Sequence, residues 1–152
     1  MKKMKWLAVL LAGVCVVVVA AVFVRNKLVG PSGWAKDNTI NQLKATMKNP
    51  GSMVIRSSYL LSVAGPGAQA TTLFLCGVVD AKDDAGAYTG GLRFVSKSID
   101  DNDEGTFDTV AVAIEDPAQK AQADGQHVLS AFETANWNAH CVDAAHPALA
   151  PV

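Results

Sequence analysis

An uninterrupted apolar run near the start of the chain is its strongest pattern. The nineteen residues from Trp6 to Val24 include no charged side chain, and lysines precede them at positions 2, 3 and 5. A helix of that length rises about 28 Å, close to the hydrocarbon thickness of a bilayer, and satisfies its own backbone polar groups in lipid. The run predicts a single-pass anchor, with residues 1–30 forming a cytoplasmic stub, the transmembrane helix and the start of a linker.

Two other fates of this N-terminal segment stay open. Val19-Ala20-Ala21 offers the small residues that a signal peptidase favours, so cleavage would release a secreted domain. The run nevertheless continues to Val24, beyond the apolar core of about 7–15 residues in a cleaved signal. A lipidated Cys15 would need a small residue before it, and Val14 stands there. We expect an uncleaved inner-membrane anchor, with secretion after cleavage as the alternative.

The cysteines favour an extracytoplasmic position for everything after the anchor. Cys15 lies in the apolar run, which leaves Cys76 and Cys141 as a candidate disulfide. Closing that loop would stabilise the fold by about 4 kcal/mol on the loop-entropy model. Such a bond persists only in an oxidising compartment, which here means the periplasm. The alternative is two unrelated buried thiols, and the charges that flank the anchor give only a slight bias in orientation.

Beyond a flexible break at Gly30-Pro31-Ser32-Gly33, the hydrophobic period separates helices from strands. A period near 3.6 predicts a helix over 34–48, which Asn49-Pro50-Gly51 ends. From Ser52 the period falls to two, and turn residues divide the following part into four strands. The predicted strands cover 52–63, 71–79, 88–98 and 106–114.

A last helix is predicted after Asp116-Pro117, a helix cap followed by proline at the first helical position. It runs to Asn138 with a potential break at Gly125, and the Ala/Pro-rich residues 144–152 are expected to form a disordered tail. Strands joined by short turns pair antiparallel, and the two helices should cover one face of the sheet. The fold class is therefore α+β. It comprises a transmembrane helix, a helix, a four-stranded antiparallel sheet and a C-terminal helix, with the extracytoplasmic domain at 31–143.

The charge distribution argues against a nucleic-acid partner. The formal net charge is −1, and the cations beyond the N-terminal region are spread singly along the chain. Phosphate binding needs clustered lysine and arginine side chains. The expected partners are the lipid bilayer, through the N-terminal helix, and another envelope protein.

No constellation of residues meets the spacing that catalysis or metal binding needs. The three histidines, His127, His140 and His146, lie late in the chain and adjoin no nucleophile motif. His140-Cys141 lacks the second spaced pair of a zinc site. Residues 100–105 resemble the start of an EF-hand loop, but Ala111 stands where the bidentate glutamate belongs. We expect no catalytic residue, no cofactor and no metal site.

An ordered series of turn formers and aromatic residues occupies Leu43 to Val95. The series is Leu43-Lys44, Lys48-Asn49-Pro50-Gly51-Ser52, Ile55-Arg56, Cys76-Gly77-Val78-Val79-Asp80-Ala81-Lys82, Gly86-Ala87-Tyr88-Thr89-Gly90 and Phe94. It resembles a group of small exported bacterial and phage-associated proteins, from whose pattern this chain departs at Asn49, Asp80 and Gly91. That group carries no established reaction, so the resemblance implies an exported domain without naming a ligand.

The predicted function is that of a non-enzymatic, membrane-anchored envelope domain that binds another protein. A small tethered domain without catalytic residues motivates this prediction, since function has to be argued from a site rather than from a fold. The alternative is a small-ligand or calcium-binding module that uses the loops at 80–84 and 100–104. A hydrolase with an unrecognised site ranks below both. The candidate contact residues are Tyr88, Asp83 and Asp84.

Overall fold

A four-stranded sheet organises the part of the chain that the computed structural model describes, residues 29–67 and 69–152. The predicted anchor, Trp6–Val24, lies outside those ranges. Inside them, no helix combines the length and the apolar character that crossing a bilayer requires.

Helix α1 occupies residues 29–46, where the sequence predicted a flexible break followed by a helix from Trp34. The predicted break is wrong for residues 31–33, where the fixed φ of Pro31 suits helical geometry, whereas Gly30 has a positive φ of 59° that departs from it. The end of this helix before Pro50 is confirmed. A short 3-10 turn, Pro50–Ser52, then leads the chain into the sheet.

The predicted antiparallel sheet is confirmed, and its strands follow each other in sequence order. Strand β1 is Val54–Ala64, β2 is Ala70–Asp80, β3 is Leu92–Asp101 and β4 is Thr106–Ile114. Each strand pairs with the next, so β1 and β4 form the two edges. Strand β3 begins later than the predicted position 88, because Gly90 and Gly91 adopt positive φ values of 101° and 89° that interrupt an extended chain.

Two helices follow the sheet where the sequence predicted one helix with a potential break. Helix α2 is Pro117–Gly125, and Asp116 caps it by accepting hydrogen bonds from the N–H groups of Ala118 and Gln119. The predicted cap is confirmed, and α2 ends at the glycine named as the break. Helix α3 covers residues 131–140 and contains a π-helical turn, Glu133–Trp137.

The helices cover opposite faces of the sheet, which corrects the prediction that they share one face. On the α1 face, Leu43 packs with Leu75 and Phe94. On the α3 face, Phe132 packs with Phe74. The signal for this arrangement lies in β2, because a nearly continuous apolar run is typical of a strand covered on both sides.

Residues 144–152 are bonded to the domain, in contrast to the predicted disordered tail. The Asn138 side chain donates to the Leu149 carbonyl at 3.0 Å and accepts from the Leu149 N–H at 2.8 Å. The His146 ring stacks on Tyr59 with ring centroids 3.6 Å apart. Composition did not reveal this order because the contacts come from side chains on α3 and β1.

Candidate binding surface

A disulfide joins the centre of the sheet to the end of α3. Cys76 on β2 is bonded to Cys141, with Cα atoms 5.8 Å apart and a sequence separation of 65. Both residues are fully buried, and the Tyr59 hydroxyl donates to the Cys141 carbonyl at 2.6 Å. The predicted pairing is confirmed, and it fixes the C-terminal layer on the α3 face.

Several turn formers and aromatic residues that the sequence places between Leu43 and Val95 lie around one buried carboxylate at the end of β2. Asp80 Oδ2 accepts from the Arg56 guanidinium at 2.9 Å, and its Oδ1 accepts from the N–H and hydroxyl of Thr89. Burial alone would raise the pKa of Asp80, but the hydrogen bonds from Arg56 and Thr89 outweigh it and hold this pKa below its ordinary value. The cluster attaches the loop between β2 and β3 to β1, which is a structural role.

The three candidate contact residues lie in that same loop. Tyr88 is 42% exposed, and its ring centroid lies 4.7 Å from the Arg56 guanidinium and 5.6 Å from Lys82 Nζ. Asp83 Oδ1 accepts from the N–H groups of positions 85 and 87, so this carboxylate shapes the loop. Asp84 is exposed and lies 3.9 Å from Lys48 Nζ. The loop therefore uses its charges mainly to hold its own conformation.

The two acidic loops considered for calcium lie at opposite ends of β3. One precedes Leu92 and the other follows Asp101, so the ten residues of the strand separate them by about 30 Å. In the second loop, Asp101 Oδ1 accepts from the N–H groups of Asp103 and Glu104. Within the described ranges, no group of three or more His, Cys, Asp or Glu side chains is arranged to hold a metal ion.

A buried ion-pair network spans the α3 face near the start of β3. The Arg93 guanidinium, 16% exposed, bonds Glu115 through Nε at 3.1 Å and Glu133 through Nη2 at 2.6 Å. Glu133 also accepts from the Ser130 N–H at 2.8 Å, while the Ser130 hydroxyl accepts from the Glu133 N–H. That reciprocal pair is a capping box for α3, and the S-x-x-E spacing at 130–133 carried the signal that sequence reasoning missed.

A groove of about 580 Å³, lined by both apolar and charged residues, opens beside this network between α2 and the start of β3. Its ionised side chains are already paired: Glu115 bonds Arg93, and Lys120 Nζ lies 2.6 Å from Asp124 Oδ2. General acid–base catalysis needs a group that is available to a substrate proton. The Lys120–Asp124 pair lies within α2, whereas Arg93 joins β3 to Glu115 after β4 and to Glu133 in α3.

The carboxylates of this domain make its stability fall in acid. Burial alone would raise the pKa of Glu133. The hydrogen bonds from Ser130 and Arg93 outweigh burial and hold this pKa below its ordinary value of 4.5. A lowered folded-state pKa gives stability that is complete above the unfolded-state pKa and is lost as pH falls through the folded-state pKa. The pKa values of Asp80 and Asp143 are also lowered, so these two carboxylates likewise lose their contribution to the folding stability as pH falls.

We expect Glu133→Gln to flatten the decline in unfolding free energy between about pH 5 and pH 2. The amide keeps an oxygen for the Ser130 N–H, so the cap survives while the titrating group is removed. Urea unfolding at a series of pH values measures this slope, with Glu104→Gln in an exposed turn as the control. An unchanged slope in Glu133→Gln would contradict the assignment.

A second groove, of about 470 Å³, is largely apolar and runs beside β1 on the α3 face. Its apolar walls include Leu61, Val63, Phe74 and Val142. Val63 and Val142 are 52% and 38% exposed, unusually open for side chains of their size. We call this cleft the apolar groove.

Ser62 and His140 both line the apolar groove, yet they do not form a nucleophile–base pair. Ser62 lies between two groove residues on β1, so strand alternation directs its hydroxyl to the opposite face. The His140 ring stacks on Phe74, with centroids 4.3 Å apart. Its neighbour Cys141 is held in the disulfide. The cleft therefore offers an apolar contact surface.

The outer main chain of β1 is the open edge of the sheet. Within residues 29–67 and 69–152, no hydrogen bond from another element reaches the β1 backbone on that side. The edge of β4 is partly covered, since Gln42 of α1 donates to the Thr109 carbonyl at 3.1 Å. Native proteins protect edges with charges, prolines or bulges. Strand β1 has a bulge and Arg56 near its start, which leaves Ser57–Ala64, here called the β1 edge, uncharged and unprotected.

Sequence reasoning identified β1 as a strand but did not identify it as the open edge. The signal was present, because short turns imply a meander whose first strand lies at an edge, and no charge follows Arg56 in β1. Tyr88, Asp83 and Asp84 lie in an end loop instead. No protein-family model, curated protein or solved structure matches the chain, so the candidate surface is argued from its own geometry.

Proposed function

We propose that the chain is a membrane-anchored envelope domain that acts without catalysis, by binding a polypeptide along the β1 edge. The observation that carries this proposal is the open, uncharged stretch Ser57–Ala64 lying beside the apolar groove. The apolar run Trp6–Val24 supports an anchor in the inner membrane. The disulfide between Cys76 and Cys141 supports a periplasmic domain, because such bonds persist in oxidising compartments.

The mode of binding that fits this surface is the addition of a strand. An extended segment gains affinity from main-chain hydrogen bonds to an open edge and specificity from pockets for its alternate side chains. The apolar groove supplies such a pocket, with the exposed side chains of Val63 and Val142 at its rim. Exposed apolar residues beside an unpaired edge favour a polypeptide over a small polar ligand.

Backbone alternation determines which groups of β1 face an added strand. The Gly65 N–H donates to the Ala70 carbonyl of the β1–β2 hairpin at 2.8 Å, so the main-chain N–H at position 65 points towards β2. Main-chain groups alternate sides along a strand, and the register from Ser57 to Ala64 is regular. Ser58, Leu60 and Ser62 therefore direct their N–H and C=O groups outward.

A photo-crosslinking residue at position 62 tests the proposal in living cells. We expect irradiation to join the full-length chain to another polypeptide, because an added strand would lie within a few ångströms of that position. The matched control places the same residue at Gln122, an exposed position on α2. Adducts of equal yield at both positions, or at neither, would contradict binding at the β1 edge.

We expect Ser62→Pro to abolish the adducts formed from a crosslinking residue at position 58. Proline removes an outward N–H and is tolerated on an edge strand, so binding should be lost while the fold survives. Circular dichroism checks the fold, and Ser62→Thr is the control that keeps the N–H. Persistent adducts in a folded Ser62→Pro protein would exclude strand addition.

A further inference from the structure

We infer that the polypeptide bound by the β1 edge is a second copy of this chain, paired antiparallel about a two-fold axis at Leu60. This inference rests on the proposed function and names the partner of that surface. It is carried by the self-complementarity of Ser58–Ser62, whose polar and apolar positions match when the strand is reversed, whereas Ser57 falls opposite Val63 beyond this stretch.

The facing residues in the middle of such a pair agree in chemistry. Leu60 faces Leu60 of the second copy, Tyr59 faces Leu61, and Ser58 faces Ser62. Directly opposed side chains lie on the same face, and aromatic–aliphatic pairs of this kind stabilise antiparallel strands. Tyr59 and Leu61 are partly buried against the core of the α3 face, so their pairing would extend that core across the joint.

The main chain and the charges agree with the same register. The outward groups at Ser58, Leu60 and Ser62 form about six hydrogen bonds with the second copy, two for each facing pair. Arg56 falls opposite Ala64 at the rim, so no like charges meet. A pair centred on Leu61 instead places Leu60 opposite Ser62 and loses this match.

The symmetry also suits two chains that are tethered to one membrane. A two-fold axis between adjacent antiparallel strands runs perpendicular to the sheet, so both copies present the same face on the same side. The two four-stranded sheets become one sheet of eight strands, four from each copy, with both α1 helices on one face. Residue 29 of each copy then lies on that face, which allows both chains to approach from one bilayer.

Charge placed at positions 58 and 62 tests the register directly. In Ser58→Lys/Ser62→Lys, each introduced lysine faces a lysine of the second copy. In Ser58→Lys/Ser62→Glu, each introduced charge faces an opposite charge.

We expect the wild-type full-length chain in detergent to sediment as a dimer. The dissociation constant of the lysine–glutamate variant should be at least about tenfold lower than that of the double-lysine variant, because two facing pairs change sign. Gln119→Lys/Gln122→Lys on α2 matches the added charge of the double-lysine variant and should dimerise like the wild type.

A mixing experiment distinguishes charge repulsion between the two copies from misfolding of a variant. Ser58→Lys/Ser62→Lys and Ser58→Glu/Ser62→Glu should each be monomeric and folded by circular dichroism, and should form heterodimers when combined. A monomeric wild type at about 100 µM, or equal dissociation constants for the two charge patterns, would overturn the inference. If the chain is monomeric while position 62 still crosslinks to a different polypeptide, only self-pairing fails. If that crosslink is also absent, the proposed function fails with it.

Discussion

Replacing both Cys76 and Cys141 with alanine is expected to lower the unfolding free energy by about 4 kcal/mol. The disulfide closes a loop with a sequence separation of 65, and the loop-entropy model assigns about that stabilisation to a loop of this length. Both side chains are also fully buried in the core of the α3 face, so their replacement removes packing there as well. Urea unfolding of the full-length chain in detergent, followed by circular dichroism, measures the loss.

The matched control is Cys15→Ala, which leaves the disulfide intact and should unfold like the wild type. Reduction of the wild-type chain should reproduce most of the loss seen in the double variant, since it opens the same loop. A loss below about 1 kcal/mol in the double variant would show that the C-terminal layer is held mainly by its other contacts.

Arg93→Met is expected to lower the unfolding free energy by about 3 kcal/mol at neutral pH. The substitution leaves the carboxylates of Glu115 and Glu133 buried side by side without their shared cation. In the variant, Glu133 loses the hydrogen bond and the positive charge of Arg93 that lower its folded-state pKa, so this pKa rises relative to the wild type. The variant therefore gains stability relative to the wild type as pH falls, and its deficit at pH 3 should be smaller than its deficit at pH 7. Urea unfolding at both pH values measures it.

A triple variant separates the lost charge from the lost packing. Adding Glu115→Gln and Glu133→Gln to Arg93→Met removes both unpaired charges, so most of the stability at neutral pH should return. A triple variant as unstable as Arg93→Met would mean that the guanidinium contributes through its contact with Trp137, whose ring centroid lies 5.6 Å away. In that outcome the deficit of Arg93→Met would also be independent of pH.

Local signals were sufficient to predict most of the sheet. Alternation and turn residues predicted β1, β3 and β4, a nearly unbroken apolar run predicted β2, and Thr106–Ile114 was predicted at its observed bounds. Asp116 and Gly125 mark the start and end of α2 because a cap and a break are decided by neighbouring residues. The disulfide was also predictable, since the apolar position of Cys15 left one pair in the globular part.

Features that depend on distant contacts were not predictable in the same way. The faces covered by α1 and α3 depend on which side of β2 each helix reaches, and both sides of that strand are apolar. The order of residues 144–152 depends on Asn138 in α3 and on Tyr59, which is remote in sequence. The network at Arg93 joins three elements, and no single segment carries that pattern.

The candidate surface was missed for a different physical reason. An open edge is a property of what lies beside a strand, and the period-two pattern in β1 describes only the strand itself. Sequence reasoning therefore directed attention to acidic loops, where Asp83 and Asp101 shape turns. The absence of charge from Ser57 to Ala64 was visible but acquires meaning only once β1 is known to be an edge.

Neighbour-to-neighbour pairing of the strands gives the domain an order of assembly. Each hairpin needs only the strand before it, so a chain emerging N-terminus first completes the hairpins one after another without waiting for later residues. The C-terminal layer arrives last, so an external thiol oxidant, which takes up the two electrons, can join Cys76 to Cys141 only after α3 has emerged. Formation of that bond thus reports a finished domain, whereas a chain cut short before α3 would keep a free thiol at Cys76 in a sheet that α1 covers on one face only.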